Sequence, residues 1–104
     1  MTIHLKAPGQ VLIAISDTAK DPTEQLMIHG AAHLYLATAD DNGDVYQAGK
    51  VVVQLGPSSN VRALSIPQPA ATPHPFHVEN PSLCTVWISG EVNAGTGTLL
   101  VLAT

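Results

Sequence analysis

The sequence predicts an all-β chain: a small single-domain β-sandwich or barrel, jelly-roll-like, of about seven short strands with one proline-rich extended segment. Three observations lead to this class. Apolar runs of strand length recur along the chain, each bounded by glycine, proline or asparagine signals. Those runs are rich in Val, Ile and Thr, which fit a pleated surface better than a helix. Prolines 67, 69, 73 and 75 then remove four backbone donors within nine residues, which bars a central strand or a helix from that stretch.

Taken in order, residues 2–6 alternate polar and apolar, as a half-buried strand does. Ala7-Pro8-Gly9 signals a turn. Residues 10–16 form a continuous apolar run that suggests a strand buried on both faces. Residues 17–24 are polar and leave two readings open. Asp21, Pro22 and Glu24 suit the cap, first turn and third position of a short helix, which Gly30 would soon end; the alternative is a surface excursion. Strand character resumes over residues 33–39 and again over 45–55. Asn42-Gly43 between them is a strong hairpin signal, because both residues tolerate the positive φ of a tight turn. Gly49 interrupts the second run in the manner of a bulge. A turn at residues 56–60 leads to a further strand at 61–66. Residues 67–81 then read as a stiff arm or tether within the single domain 1–104, with Phe76 available to pin it.

Residues 83–92 and 98–104 read as two strands joined by the small-residue turn 93–97, a terminal hairpin. Alternation puts Cys84, Val86, Ile88 and Val92 on one face of the first, with Thr85, Trp87, Ser89 and Glu91 on the other. The last strand is apolar on both faces, Leu99, Val101 and Ala103 against Leu100 and Leu102. Such a strand is either central in its sheet or covered by another subunit. The second option makes Trp87, Leu100 and Leu102, with Phe76, Pro67 and Pro69 of the arm, the candidate interface residues.

Composition narrows the function. Of 104 residues, 12% are charged, about half the usual share, so a large part of the surface must be small polar or apolar groups. The net charge is −4, and Lys6, Lys20, Lys50 and Arg62 are too few and too scattered to neutralise many phosphates, so no direct nucleic-acid binding is expected. No apolar run is long enough to cross a bilayer as a helix, and residues 1–6 lack the form of a signal peptide, so neither membrane insertion nor export by that route is expected. Cys84 is the sole cysteine and sits in an apolar run, as an inert structural thiol does.

No set of residues has the spacing of a catalytic or cofactor site, and the expectation is a non-enzyme with no cofactor and no metal. His29 and His33 are four apart, but the H-E-x-x-H form would need glutamate where Gly30 stands. A small histidine-metal β-barrel enzyme would require His29, His33, His74 and His77 to converge. His77-Val78-Glu79 lacks the later cysteine pair of a zinc deaminase. Asp40, Asn42 and Asp44 alternate like calcium ligands, but Val45 and Val51 occupy the places of the required glycine and glutamate. No serine lies in a G-x-S-x-G elbow. A soluble accessory module for sugar or peptide would rest on Trp87 alone.

In its low lysine content, short strands, proline-rich arm and the ending Gly97-Thr98-Leu99-Leu100-Val101-Leu102-Ala103-Thr104, the chain resembles the capsid-decoration (cement) and minor virion proteins of tailed bacteriophages. That resemblance implies a compact β domain, a homotrimer in many cases, that sits on the major capsid protein or other virion subunits and reinforces the shell. It also implies a virion location after synthesis in the host cytoplasm. An arm of that class lies across a neighbour, and residues 67–81 or residues 1–8 are the stretches available for it.

Overall fold

The computed structural model describes residues 2–18, 24–29, 33–55, 62–68, 74–77 and 83–104. Among them are nine strands: β1 (Thr2–Lys6), β2 (Gly9–Ser16), β3 (Glu24–His29), β4 (His33–Ala39), β5 (Gly49–Leu55), β6 (Arg62–Gln68), β7 (His74–His77), β8 (Leu83–Val92) and β9 (Thr96–Ala103). The all-β class is as expected, in the form of one open mixed sheet. Its main path is β1-β3-β8-β2-β9-β4-β7, and β5 and β6 branch from β8.

The branch at β8 divides the sheet into two ladders. One runs β1-β3-β8-β5-β6, with β1 parallel to β3 and the other pairs antiparallel. The second runs β2-β9-β4-β7, antiparallel throughout. They join through a single pair of residues, Ser16 on β2 with Glu91 on β8. Leu26, Ile28, Val53, Val86 and Ile88 of the first ladder and Ile13, Leu34, Leu36, Leu99 and Val101 of the second belong to one buried cluster. The sheet therefore folds so that one face of each ladder contributes to a shared core, and the alternating residues face outward.

The face assignments for residues 85–92 and 99–103 hold, and the side chain of Cys84 lies outside the described residues. Val86, Ile88, Leu99 and Val101 are fully buried, while Trp87, Ser89, Glu91 and Leu102 are half-buried on the outward faces. The pairing does not follow the expected terminal hairpin. β8 lies between β3 and β5, β9 lies between β2 and β4, and the two consecutive strands sit in different ladders. The turn between them is held from outside: Asp17 donates its N–H to the Gly95 carbonyl at 2.8 Å, and its Oδ2 accepts from the Gly95 N–H at 3.0 Å. Asn93 N–H also donates to the Ala48 carbonyl at 3.2 Å. The doubly apolar last strand thus takes the central place that its composition allows, and the Thr104 N–H and carbonyl both bond to the backbone of His33.

Other expectations are corrected. β2 is buried on one face only, since Gln10, Leu12 and Ala14 are exposed on the outward side. Residues 24–29 are strand, not helix: Leu26 and Ile28 alternate into the core between β1 and β8, and that pairing outweighs the local capping signals. Asn42 does not take a positive φ; Gly43 alone in that turn does, at 77°. Pro67 and Pro75 are strand residues, placed in β6 and β7 at the margins of the ladders, where a missing N–H costs no ladder bond. Residues 67–68 and 74–77 are thereby part of the chain's own sheet, and so are residues 2–6, so neither these parts of the expected arm nor the N-terminal stretch is free to lie across a neighbour. Residues 69–73 and 78–81, with Pro69 among them, lie outside the described residues, as do 56–61 and 19–23.

Leu99 is fully buried on the central strand, so Leu99→Ala should cost about 3 kcal/mol in urea unfolding, within the range for a buried leucine left as a cavity. Leu102→Ala, on the outward face, should cost less than half as much.

Candidate functional site

Of the interface residues expected from the sequence, Trp87 does not share a patch with Leu100 and Leu102. Trp87 lies on the outward face of the β1-β3-β8-β5-β6 ladder, whereas Leu100 and Leu102 lie on the outward face of the β2-β9-β4-β7 ladder. The backbones of Pro67 and Phe76 pair with Lys50 and Leu34, and their side chains lie outside the described residues.

On the second ladder, antiparallel register groups the outward side chains into rows. Leu12, Leu100 and Ala37 form one row, and Gln10, Leu102 and Tyr35 the next. Leu12 is 46% exposed and Leu100 only 8%. The loop after β4 closes one end of this face. Gly43 approaches Leu12 so closely that a Cβ there would meet both Leu12 methyls at 3.3 Å, and Val45 of the same loop is 62% exposed. Leu12 and Val45 are the exposed large apolar side chains among the described residues; Leu12 stands against Gly43, and Val45 lies two residues further along the same loop.

That loop is built by its own polar groups. The Asp40 carboxylate accepts from the N–H groups of Asp44 at 2.8 Å and Val45 at 3.3 Å, and Asp40 N–H donates to the Val45 carbonyl at 2.8 Å. The bond from the Asp44 N–H, more than any other contact, holds the Asp40 carboxyl below its ordinary value of 3.8. The aspartates that resembled calcium ligands are therefore turn-forming, and among the described residues no three histidine, cysteine or acidic side chains are placed to share a metal. Two buried hydroxyls clamp the loop to the sheet: Thr38 donates to the Gln47 carbonyl at 2.7 Å and Thr98 to the Asp41 carbonyl at 3.1 Å. Gly49 completes the corner, because a Cβ there would collide with the Glu91 carbonyl and with the Thr38 hydroxyl, so it marks a close backbone approach and not a bulge.

The histidines separate by ladder. His33 and His77 are register partners on β4 and β7, and His74 stands opposite Leu36, but His29 ends β3 in the other ladder. The side chains of His29, His74 and His77 lie outside the described residues.

A cleft of about 60 Å³ opens where β2 and β8 part beyond the Ser16–Glu91 pair, lined by Ile13, Ile15, Ser16, Glu24, Ile88 and Ser89 among others. It has room for a few waters and is too small for a metabolite.

The outward face of the first ladder differs in chemistry. Gln25 on β3, Trp87 on β8 and Gln54 on β5 are register partners and form a single row, which Thr2 on β1 extends. The sequence carried only the indole of this row, since the glutamines are distant along the chain and only the strand register brings them beside it. No family model, characterised protein or solved structure matches this chain.

Because the Asp40 carboxyl is more acidic in the folded chain than its ordinary value, its contribution is complete above pH 3.8 and is lost as the pH falls through the lower folded value. Thermal melts from neutral pH downward should show a smaller acid-induced loss in Asp40→Asn than in the native chain. Thr38→Val, which keeps the shape and deletes the clamp, should cost about 1 kcal/mol in the same assay.

Proposed function

We propose that this chain is a structural, non-catalytic virion protein of the capsid-decoration kind, which binds and reinforces a phage shell through a multivalent interface. The observation that carries the reading is the exposed Leu12, with the half-buried Tyr35 and Leu102 in the next row and the exposed Val45 in the loop that packs on Leu12 through Gly43. An exposed leucine continued by half-buried apolar side chains into one patch is the kind of surface that protein–protein contacts use. The low share of charged residues favours the same reading, since a surface poor in charge is costly for a free monomer and tolerable for a subunit.

Its partners would be further copies of itself, as a trimer, and the major capsid protein or another virion subunit. Each contact is small, and the strength comes from repetition: many copies on one lattice act with the effective concentration of linked sites. No bond is made or broken in this role, and its rigidity depends on the clamped loop that presents Val45.

Light scattering coupled to sizing tests the proposal. The native chain should run as a discrete oligomer at micromolar concentration, and Leu12→Lys should shift it to monomer while leaving the circular dichroism spectrum unchanged. A native chain that stays monomeric at that concentration would sink the reading.

A further inference from the structure

We infer that the outward face of the β1-β3-β8-β5-β6 ladder is a binding site for a neutral saccharide, centred on Trp87. This goes beyond the proposed assembly role and does not rest on it, because it uses the opposite ladder and different side chains.

Trp87 is flanked in register by Gln25 and Gln54, one on each neighbouring strand. All three are half-buried, so each keeps part of its side chain accessible to solvent. Adjacent strands lie about 4.8 Å apart, which sets the two glutamine backbones roughly 9.6 Å apart with the indole midway. Along β8 the same-face neighbours of Trp87 are the small Thr85 and Ser89, and Met27 and Val52 on the flanking strands stand beside these in register and offer apolar walls to the row. Thr85 is moreover turned to Met27, its hydroxyl 3.0 Å from the sulfur.

The chemistry of the row fits a pyranose. The electron-rich face of an indole attracts the weakly positive C–H groups that line one side of a sugar ring. A side-chain amide presents a donor and an acceptor together, which matches a pair of adjacent hydroxyls. Gln25 is already oriented for such contacts. Thr2 Oγ1 donates to its Oε1 at 3.1 Å, which fixes the amide plane and leaves the NH₂ group without a partner among the described residues. The row Thr2–Gln25–Trp87–Gln54 carries no ionisable group. The nearest charged pair in register on this face, Lys50 with Glu91, lies four residues along β8, about 13 Å from Trp87. An anionic ligand would find no cation in the row, and a neutral polyol needs none. Peptide recognition by strand addition would use a sheet edge, whereas β8 is paired on both sides.

Trp87 is the chain's sole tryptophan, so its emission reports on this site alone. The experiment titrates the native chain with neutral oligomers of glucose, mannose, galactose and N-acetylglucosamine, read by tryptophan fluorescence and checked by isothermal calorimetry. One series should shift the emission saturably. Gln25→Ala and Gln54→Ala should each weaken that series about fivefold to tenfold, the loss expected for one or two hydrogen bonds. Leu12→Lys should leave it unchanged, which separates this site from the assembly face whatever the oligomeric state. Trp87→Phe should retain weakened binding by calorimetry, and the two glutamine variants keep the test valid if replacing the indole impairs folding. Failure of all four series at millimolar concentration overturns the inference, and so does binding that survives the double glutamine variant undiminished.

Discussion

The crossing at residues 93–95 is the constraint on which the rest of the architecture depends. It carries the chain from the middle of one ladder directly to the middle of the other, so two consecutive strands become the central members of separate halves of the sheet. Gly95 makes the crossing with a φ of 76°, and Asp17 fastens both its N–H and its carbonyl. Since Asp17 follows directly on β2, the same bonds tie the end of β2 to the turn. Had β8 and β9 paired with each other, each would have spent one edge on the other. As it stands both edges of each are available, and β3, β5, β2 and β4 fill them. Among the described residues only β5 and β6 are consecutive strands that pair with each other, so nearly every pairing joins distant parts of the chain. Such a topology folds slowly for its size, because loop-closure entropy is spent before the pairing is gained.

Placing both apolar inner faces in one core leaves two outward faces, and they are not alike. The β2-β9-β4-β7 ladder turns Leu12, Leu100 and Leu102 outward, because its central strand is apolar on both sides. The β1-β3-β8-β5-β6 ladder turns out a mixed set, the amides of Gln25 and Gln54, the Trp87 indole, Met27, Val52 and the Lys50–Glu91 pair, because its strands alternate. The scarcity of charge in the composition thus has a structural counterpart. Part of the surface is apolar sheet and part is mixed sheet with few charges, and the exposed acids lie in turns such as 40–44.

What was legible in the sequence was whatever depends on local period. Alternation placed Val86, Ile88, Leu99 and Val101 inward and Trp87 and Leu102 outward, and the bounds of β1 and β4 coincide with their apolar runs. Partner choice was not legible, because nothing local distinguishes a turn that closes a hairpin from one that changes ladders; the distinction at 93–95 rests on Asp17, far away in sequence. The helix signals at Asp21, Pro22 and Glu24 are likewise local, and Leu26 and Ile28 gain more by entering the core. The Gln25–Trp87–Gln54 row shows the same limit for a site. Each residue is ordinary alone, and only the register of three strands assembles them.

The margins of the sheet bear on how such a molecule associates. Among the described residues β1, β6 and β7 each pair on one side only, and β2 meets a strand on its second side only through Ser16 with Glu91. An unpaired strand edge is a template for further strands and a route to open-ended aggregation. Two of these margins carry proline, Pro67 in β6 and Pro75 in β7, and each lacks the N–H that an added strand would need. The third, β1, is five residues long and ends in the exposed Lys6, and short charged edges resist pairing. With β1, β6 and β7 blunted in this way, the outward faces become the broader surfaces for contact. Association through a face buries side chains against side chains and is limited by their shape, so it closes at a defined number of subunits where edge pairing would continue. Pro67 and Pro75, which first suggested a stiff arm, therefore serve the sheet's own margins and oppose its growth there, and they leave the exposed Leu12 and the indole row at Trp87 to define what it holds.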